Sequence, residues 1–394
     1  MSGLPVRAAD IVVVGAGVQG ASLAFHLAER GAKVLVLERS SVGAGATGRS
    51  SGFVRMHYDL ALEAALAWRS FPWFLDWRAR VGAGDPGFVR TGFVQLVGPS
   101  HAEALRANVA NQQALGIATS VVMAEELAAL VPGMTADDIG AAAYEPLSGY
   151  ADPSSTAAGL LAAARQRGAE YAAGIRVDAV RVAGDRVLGV ATLEGDVDAP
   201  VVVDAAGAWA AELARTAGVD IPVEPWRHDT AYFGLPAEHP AGLPIVLDHI
   251  RAVYFRPEGS ELLLVGLETG NEVGGSPDAP MPGYDPAVLE PMAERLCERV
   301  PWMAAGDVRS ANRGQDGMTP DQRAILGPAG PDGFFLDCGH SGSGFKTAPA
   351  IGQCMAEWIL DGRPTSVDIT PFAPDRFERG QPLVGEHPYE ALWR

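Results

Sequence analysis

Positive charge and long apolar stretches are both scarce in this chain. Its 394 residues include 48 acidic and 30 basic side chains, so the formal net charge at pH 7 is −18. Nucleic acids and anionic lipids bind to basic surfaces, so this charge argues against either one as a partner. No apolar run approaches the ~20 residues that a membrane-spanning helix requires, and we therefore predict no membrane span.

Cysteine is equally scarce. Cys297, Cys338 and Cys354 are odd in number and show no C-x-x-C spacing, so the sequence predicts neither a disulfide framework nor a zinc site. A chain with free thiols suits a reducing compartment. The apolar run Ile11–Val14 ends in a glycine motif rather than in a signal-peptide cleavage site. We therefore expect a cytoplasmic protein that binds no metal.

Lysine is the rarest charged side chain. Lys33 and Lys346 are the only lysines, and all other basic residues are arginine. In such a chain, a lysine within a glycine-rich motif is less easily explained as ordinary surface filler. Lys346 ends such a motif, which makes it a candidate functional residue.

The N-terminal segment contains a complete dinucleotide-binding fingerprint. Gly15, Gly17 and Gly20 form G-x-G-x-x-G between the apolar strand Ile11–Val14 and an Ala/Leu-rich helix. Such glycines permit a tight turn, close approach of a pyrophosphate and close packing of the helix, whose N-terminus attracts phosphate. Glu38 ends the second strand, where a carboxylate accepts a hydrogen bond from a ribose hydroxyl and disfavours NADP. A chance glycine turn would not explain the strand, the helix and the acid.

Two further glycine-rich segments indicate which dinucleotide is bound. They are residues 45–52 (GATGRSSG) and 339–346 (GHSGSGFK). No second fingerprint provides a separate nicotinamide site, and a cofactor that the chain contacts at several points fits FAD. The second segment precedes a helix, whose N-terminus could face the negative charge of a reduced flavin. Each segment alone is also compatible with a plain loop, but the three motifs together favour FAD.

These motifs occur in an order that resembles the sarcosine oxidase/D-amino acid oxidase superfamily, and monomeric sarcosine oxidase and its relatives in particular. The matching blocks, which span nearly the whole chain, are the fingerprint with Glu38-Arg39, 45–52, 201–209 (VVVDAAGAW), 318–327 (MTPDQRAILG) and 339–346. The resemblance implies an FAD enzyme that oxidises the C–N bond of a small amino acid or secondary amine, such as sarcosine or another N-methyl or imino acid, to an imine. Electrons would pass to oxygen or to another acceptor.

The motifs and the resemblance together predict the residues that bind FAD. These are Gly15, Gly17, Val18, Gln19, Gly20, Glu38, Arg39, Thr47, Arg49, Ser50, Ser51, Gly52, Val177, Ala206, Gly207, Trp209, Gly342, Ser343, Gly344, Phe345 and Lys346. Relatives that attach FAD covalently use a cysteine before the T-P-D block or a histidine in the second glycine segment. Here residues 314–317 contain no cysteine and position 49 is arginine, so we expect non-covalent FAD.

The resemblance also implies a carboxylate-binding pair. Arg55 matches the family arginine that follows the second glycine segment, and Lys346 matches the lysine of the G-F-K motif. A small amino acid in a mostly apolar flavin pocket needs its carboxylate neutralised, and an arginine can do so with two parallel hydrogen bonds. The alternative for Arg55 is an ordinary surface arginine.

Further candidates for the substrate site lie outside the glycine motifs or beside them. Tyr254 matches a pocket tyrosine, and Glu268 stands at a family histidine, where it could pair with a second amine or a cationic substrate side chain. Leu264 replaces a lysine that helps oxygen to react, which favours a dehydrogenase. His57 and His340 are candidate bases, although either could be a hydrogen-bonding spectator. The alternatives are a strand aromatic for Tyr254 and a solvated loop acid for Glu268.

The order of elements predicts a mixed α/β (α+β) protein with a Rossmann-type FAD-binding domain, discontinuous in sequence, and a substrate domain built on an antiparallel sheet. We assign residues 1–85, 141–220 and 310–394 to the FAD-binding domain, and residues 86–140 and 221–309 to the substrate-binding domain. The Gly- and Pro-rich segment Gly274–Pro291 is predicted to be a surface loop.

Two other functions stay open at this point. One is an FAD-dependent 2-hydroxy acid dehydrogenase, and the other is a non-catalytic FAD-binding subunit of a larger complex. The sequence specifies neither the substrate's identity nor the oligomeric state, and an electron-acceptor partner is an alternative to oxygen.

Overall fold

The computed structural model describes residues 3–280 and 285–389, which contain both strands and helices. The strands are β1 (Ile11–Val14), β2 (Val34–Glu38), β3 (Phe53–Val54), β4 (Val89–Arg90), β5 (Phe93–Val97), β6 (Ser120–Val122), β7 (Ala141–Glu145), β8 (Gly149–Tyr150), β9 (Glu170–Ala173), β10 (Val177–Ala183), β11 (Arg186–Thr192), β12 (Val197–Asp198), β13 (Val201–Asp204), β14 (Glu224–Gly234), β15 (Ile245–Asp248), β16 (Val253–Glu258), β17 (Leu262–Leu267), β18 (Asp307–Met318), β19 (Ile325–Pro328) and β20 (Phe334–Cys338).

Helices follow the glycine motifs and pack on the sheets. They are α1 (Val18–Glu29), α2 (Ala61–Leu75), α3 (Trp77–Arg80), α4 (Ala102–Ala114), α5 (Ala124–Leu130), α6 (Pro153–Gln166), α7 (Ala210–Thr216), α8 (Pro286–Arg299) and α9 (Gly344–Asp361). Within the described ranges, no helix combines the length and the apolar character that crossing a membrane requires.

A six-stranded sheet carries the N-terminal motif. Its order is β19-β20-β13-β1-β2-β9, with β19 antiparallel to β20 and the other pairs parallel. Ile11 and Val13 pack into a core with residues of α1, α6 and α9. Val12 and Val14 point to the opposite face and pack with residues of β10, β11 and α7. The uninterrupted apolar run of β1 thus reflects burial on both faces, and the predicted mixed α/β fold of Rossmann type is confirmed.

An eight-stranded sheet, in the order β18-β14-β17-β16-β15-β5-β7-β6, forms the second layer. It is antiparallel except for the pair β5–β15. Leu263 and Val265 of β17 face a core that includes residues of α8. Leu264 points to the other face, where it packs with Leu247 and Tyr254. Because successive side chains of a strand alternate between the faces, this second face is free to form a wall of the site described below.

β7 begins at residue 141 and β18 at residue 307, and both pair in the eight-stranded sheet, while the limits of the two domains stay predictions. One other expectation from the sequence is contradicted by the structure. The predicted loop 274–291 is wrong in its last part, because α8 begins at Pro286. The side chain of Asp285 accepts a hydrogen bond from the backbone N–H of Ala287 (3.1 Å), and proline suits the first position of a helix. Residues 281–284 lie outside the described ranges.

Candidate active site

A cleft of about 540 Å³ lies at the carboxyl ends of β1, β2 and β13, between these ends and the eight-stranded sheet. Arg55, Tyr254 and His340, which were predicted to bind substrate or assist catalysis, contribute to its wall. The predicted cofactor residues that line it are Gly15, Gly17, Val18, Gln19, Glu38, Arg39, Thr47, Arg49, Ser50, Ser51, Val177, Ala206, Gly207, Trp209, Gly342, Gly344, Phe345 and Lys346. In an open α/β sheet, such a crevice at the strand ends is where ligands bind.

The turn between β1 and α1 has no room for side chains at two glycines. Gly15 adopts a φ of +109°, and a Cβ atom there would lie 2.4 Å from the carbonyl oxygen of Ala205. A Cβ atom at Gly20 would lie 2.0 Å from the carbonyl oxygen of Gly15. The backbone N–H of Val18 donates to Thr47 Oγ1 (3.0 Å), which ties the second glycine segment to the start of α1. The N-terminus of α1 therefore faces the cleft in a tightly constrained position.

Acidic side chains organise the end of the cleft near β2. Glu38 accepts hydrogen bonds from the backbone N–H groups of Ala16 (2.9 Å) and Ser40 (2.7 Å). The Arg39 guanidinium lies 4.6 Å from the centre of the Trp209 ring. Both Arg39 and the Trp209 indole N–H donate to one carboxylate oxygen of Asp278, at 2.7 and 2.9 Å. These two hydrogen bonds hold the pKa of Asp278 below its usual value.

Residues 45–52 form the neighbouring wall. Arg49 donates to the backbone carbonyls of Ala44 and Gly45, so its guanidinium folds back on its own loop. Ser51 offers its carbonyl to the guanidinium of Arg256 (2.6 Å), a side chain of β16. This contact connects the second glycine segment to the eight-stranded sheet.

Three predicted cofactor residues do not line the cleft. Gly20 packs against the turn at Gly15, as described above. Gly52 has a φ of +69°, and a Cβ atom there would lie 2.2 Å from the carbonyl oxygen of Ala151. Ser343 precedes α9 and donates to the carbonyl of His340 (2.8 Å). These three residues contribute to packing and to the geometry of turns. A match to a sequence motif does not distinguish such a role from contact with a ligand.

Arg55 and Lys346 approach the same aromatic ring. The Arg55 guanidinium lies 4.5 Å and the Lys346 Nζ atom 5.5 Å from the centre of the Tyr58 ring. Arg55 also lies 5.4 Å from the ring centre of Phe93 and donates to the carbonyl of His57. Both cations are buried, with 4% and 6% of their surface exposed. In the described part of the chain, neither forms a salt bridge with an acidic side chain.

Burial changes the ionisation of Lys346. Desolvation lowers its pKa well below the usual value, and the nearby positive charge of Arg55 lowers it further. Glu63 and Asp316 oppose this shift only in part. A buried ammonium beside a second cation is therefore costly unless an anion enters the site.

Tyr254 stands opposite, at the wall formed by the eight-stranded sheet. Its hydroxyl forms a hydrogen bond with Nε2 of His228 on β14, and the two rings stack with centres 5.8 Å apart. The Phe53 ring meets the Tyr254 ring edge-on at 5.3 Å. Burial lowers the pKa of His228 to about 4 and raises that of Tyr254. Both side chains are therefore neutral at ordinary pH.

His340 has both ring nitrogens engaged. Nε2 lies 3.0 Å from Asp337 Oδ1, and Nδ1 lies 3.4 Å from the side-chain nitrogen of Gln19. Asp316 accepts a hydrogen bond from the backbone N–H of Gly342 (2.9 Å), which shapes the loop before α9. Because neither nitrogen of His340 is unengaged, these contacts favour the interpretation of this residue as a hydrogen-bonding spectator.

Glu268 does not line the cleft. Its carboxylate is buried and forms a hydrogen bond with Nδ1 of His249 (2.9 Å), and burial raises its pKa. The alternative of a solvated loop acid is therefore wrong, because the side chain turns inward at the end of β17. His57 is likewise buried: Nε2 contacts the Tyr389 hydroxyl (2.6 Å), and burial lowers its pKa to about 3.

Comparison with known proteins assigns the chain to a family. The sequence profile of the DAO family of FAD-dependent oxidoreductases matches residues 10–358. The chain belongs to this family. It is an FAD-dependent oxidoreductase, so the predictions of an enzyme and of FAD as its cofactor are confirmed.

Curated relatives of this oxidoreductase are longer proteins. Mitochondrial sarcosine dehydrogenase of Homo sapiens is 31% identical over 378 residues, which cover 90% of this chain and 40% of that protein. Mitochondrial dimethylglycine dehydrogenase of Rattus norvegicus is 26% identical over 400 residues, covering 94% of this chain and 45% of that protein. The oxidoreductase therefore spans less than half the length of these two relatives.

Solved structures share the fold over almost the whole chain. The L-proline dehydrogenase from P. horikoshii superposes with a TM-score of 0.87 at 26% identity, over 96% of this chain and 100% of that one. The glycine oxidase from Geobacillus kaustophilus gives a TM-score of 0.82 over 94% of this chain and 99% of that one. At 24% identity, the second likeness shows the fold alone.

The cleft of the oxidoreductase fits FAD at both ends. At one end the turn at Gly15 admits only backbone, and the N-terminus of α1 presents N–H groups and a positive dipole end to phosphates. At the other end Gly342, Gly344 and Phe345 bring the start of α9 to the same cleft. The N-terminus of α9 therefore suits the flavin of FAD, which becomes negatively charged when it is reduced.

Several residues of the cleft wall were missed by sequence reasoning. Trp226, His228 and Leu247 line it from β14 and β15, and Asp278 reaches Arg39 from a Gly- and Pro-rich segment. None of them belongs to a motif. His228 carried the one available signal, because it is one of only eight histidines in the chain.

Proposed function

We propose that this chain oxidises the C–N bond of a small amino acid or secondary amine to an imine, which water then hydrolyses. Two buried cations, Arg55 and Lys346, carry the proposal, because they share the Tyr58 ring and form no salt bridge within the described ranges. A carboxylate is the ligand that such a pair lacks. The names of the relatives, which include a sarcosine dehydrogenase and an L-proline dehydrogenase, support this substrate class.

The walls limit the size and polarity of the substrate. Phe53, Leu247 and Tyr254 line the cleft on the side of the eight-stranded sheet and belong to one buried apolar cluster. An apolar wall favours a short aliphatic substituent on carbon or nitrogen and excludes water from the reacting carbon. The cations then attract the carboxylate and fix that end of the substrate.

We assign the cofactor contacts in the same proposal. The turn at Gly15, with Gly17 and the start of α1, would hold the pyrophosphate, and Glu38 would accept from a ribose hydroxyl. Gly342 and Gly344 would lie at the flavin end. Bound FAD supplies the capacity to take two electrons from the carbon next to nitrogen. Non-covalent attachment stays part of the proposal.

The protein's own contribution is binding, orientation and proton control. Arg55 can hold one carboxylate with two parallel hydrogen bonds. A substrate carboxylate would raise the pKa of Lys346 again, because its negative charge offsets the burial and the repulsion that lower this pKa. No side chain is needed as a base if the substrate enters as the neutral amine.

We also propose an electron acceptor other than oxygen. Leu264, at the position where relatives carry an oxygen-activating lysine, is buried with Leu247 and Tyr254. The chain has one other lysine besides Lys346, and Lys33 is exposed in the connection that leads to β2. An apolar side chain offers no positive charge to stabilise reduced oxygen.

An anaerobic titration of the FAD-loaded protein tests the proposal. The panel contains sarcosine, other N-methyl amino acids, proline, D- and L-amino acids and 2-hydroxy acids. Bleaching of the flavin band by an amino acid, followed by slow recovery in air, is the expected result. Bleaching by hydroxy acids alone would replace the proposal by a 2-hydroxy acid dehydrogenase. No bleaching by any compound would favour a non-catalytic subunit, and rapid recovery in air would reject the acceptor assignment.

A further inference from the structure

A carboxylate outside any salt bridge lies at the end of the cleft where α9 begins. Asp316 belongs to β18 and lines the cleft together with Gly342, Gly344 and Lys346. Its Oδ1 atom accepts a hydrogen bond from the backbone N–H of Gly317 (2.8 Å), and Oδ2 accepts one from the N–H of Gly342 (2.9 Å). Within the described ranges, no basic side chain forms a salt bridge with it. Asp316 therefore brings a negative charge to this end of the cleft.

β18 fixes the loop before α9 in its place beside this carboxylate. The carbonyl of Gly317 accepts a hydrogen bond from the N–H of Ser341 (3.0 Å), and Ser341 Oγ accepts one from the N–H of Thr319 (3.1 Å). Ser341 adopts a φ of +50°, in the left-handed region that a serine seldom occupies. These contacts and the bond from Gly342 hold the loop and the carboxylate together, so that neither is free to turn away.

The charge of Asp316 opposes the dipole of α9. The N-terminus of a helix carries a partial positive charge, and a carboxylate beside it is stabilised. Asp316 takes the N–H of Gly342, which lies two residues before α9 begins at Gly344. This helix end would otherwise attract a negative group of a ligand in the cleft. Asp316 thus offsets part of that attraction in advance.

Reduction changes the charge that this end of the cleft must accommodate. It brings two electrons to FAD from the C–N carbon of the substrate. Uptake of one proton with these electrons leaves one negative charge on the cofactor. The helix end and the buried cation Arg55 favour this charge, whereas a fixed carboxylate nearby disfavours it.

We propose that Asp316 lowers the reduction potential of the bound FAD, so that the reduced cofactor gives up its electrons more readily. The carboxylate acts through its charge and through its hold on the Gly342 N–H, which it keeps from the cofactor. The inference rests on the proposed function, because the flavin must lie at the end of the cleft formed by Gly342 and Gly344. It deepens that proposal by naming a residue that controls the cofactor's affinity for electrons.

The reduction potential of bound FAD tests the inference without substrate. Wild type and Asp316→Asn are loaded with FAD and equilibrated anaerobically with a redox dye of known potential. Asparagine keeps an oxygen that can accept from the Gly342 N–H, but it removes the charge. At ~10 Å and an effective dielectric constant of ~20, one unit charge changes an equilibrium constant about tenfold or more. The variant should favour reduced FAD by about tenfold, a rise of about 30 mV for a two-electron couple.

Two further variants separate the charge from its surroundings. Asp178→Asn is the matched control, because Asp178 also lines the cleft but follows β9, the partner strand of β2, and lies 3.5 Å from Arg176 Nε. Its loss should leave the potential unchanged. Asp316→Ala removes the charge and also releases the Gly342 N–H, so it should raise the potential at least as far as Asp316→Asn. A merely structural role of Asp316 would reduce the amount of bound FAD without moving its potential.

Inorganic sulfite gives a second readout on the same proteins. Sulfite donates its lone pair to the oxidised flavin and leaves a negative charge on it, so the same electrostatic forces act on the product. Bleaching of the flavin band measures its dissociation constant without any turnover. Asp316→Asn should bind sulfite more tightly than the wild type, and Asp178→Asn should bind it equally well.

The outcomes separate this inference from the proposed function. If neither variant changes the potential or the affinity for sulfite, the role of Asp316 is rejected, and the titration with amino acids still decides the proposed function. If Asp178→Asn shifts the potential and Asp316→Asn does not, the flavin lies at the β2 end and the proposed cofactor placement is wrong. A fall of the potential in Asp316→Asn, or an equal rise in both variants, would also reject the inference.

Discussion

Replacement of Lys346 by methionine should separate substrate binding from stability. Methionine fills a similar volume but removes the ammonium group, so that Arg55 alone faces the substrate carboxylate. Loss of one buried charge contact costs about 2–4 kcal/mol, which raises KM about thirtyfold to a thousandfold. The matched control is Lys33→Met, because Lys33 is the only other lysine and its side chain is exposed. An unchanged KM in Lys346→Met would remove Lys346 from the site.

Unlike substrate binding, the stability of the protein should not suffer from the Lys346→Met replacement. Lys346 is buried beside Arg55 and has a lowered pKa in the folded protein. The unfolded chain keeps this proton up to about pH 10, so it binds more protons than the folded protein in the window below that pH. The free energy of unfolding of the wild type therefore increases as the pH rises through this window. Lys346→Met should show no such increase and should be no less stable than the wild type at pH 7. Denaturant unfolding at several pH values would measure both.

Three other substitutions test the fold around the cleft. Gly20→Ala should yield protein without flavin absorbance, because the new Cβ atom would lie 2.0 Å from the Gly15 oxygen; Gly98→Ala, with 3.9 Å to its nearest neighbour, should keep FAD. Arg323→Met removes the buried cation that pairs with Asp59 and Glu63 and should cost about 3–5 kcal/mol in urea unfolding. Burial lowers the pKa of His26 to about 4, so the unfolded chain binds more protons below about pH 6.5, and the wild type loses stability on acidification. His26→Gln, which can still donate to Pro349, should lose less, and an equal loss would reject this cause.

Buried parallel strands were the most predictable part of the fold. β1, β13 and β20 begin and end where the apolar runs and the following glycines or alanines predict. The segment 274–291 was misjudged because glycine and proline were counted as loop residues throughout. Asp285-Pro286 is also a helix start, with an N-cap followed by proline at the first position, and that signal was present in the sequence.

The site was predictable only where it is local in sequence. Glycine motifs identify their own turns, whereas the approach of Arg55 and Lys346 to one cleft was expected from the family resemblance. His228 meets Tyr254 only through the register of β14, β17 and β16, and Asp278 meets Arg39 across more than two hundred residues of chain. No spacing rule reports such contacts. The inward direction of the Glu268 side chain depends on how the chain turns at the end of β17, and no motif of the sequence predicts this turn.

Some expectations from the sequence stay predictions. They include the limits of the two domains and the cytoplasmic location, and the names of two relatives specify mitochondria. An electron acceptor other than oxygen belongs with them.

The order in which the cleft is assembled has a consequence for synthesis of the protein. The phosphate-binding turn is complete once α1 has formed, but the opposite end of the cleft begins only at Phe334 with β20 and continues into α9. Most of the chain must therefore be synthesised before FAD can be bound at both ends of the cleft. Until then β1 and β13 lack the strand β20 that completes the parallel sheet on their side, and their apolar faces await the cover of α9. Binding of FAD at both ends is therefore a late step in the synthesis and folding of the chain. Added FAD should increase the yield of folded protein more than it changes the early steps of folding.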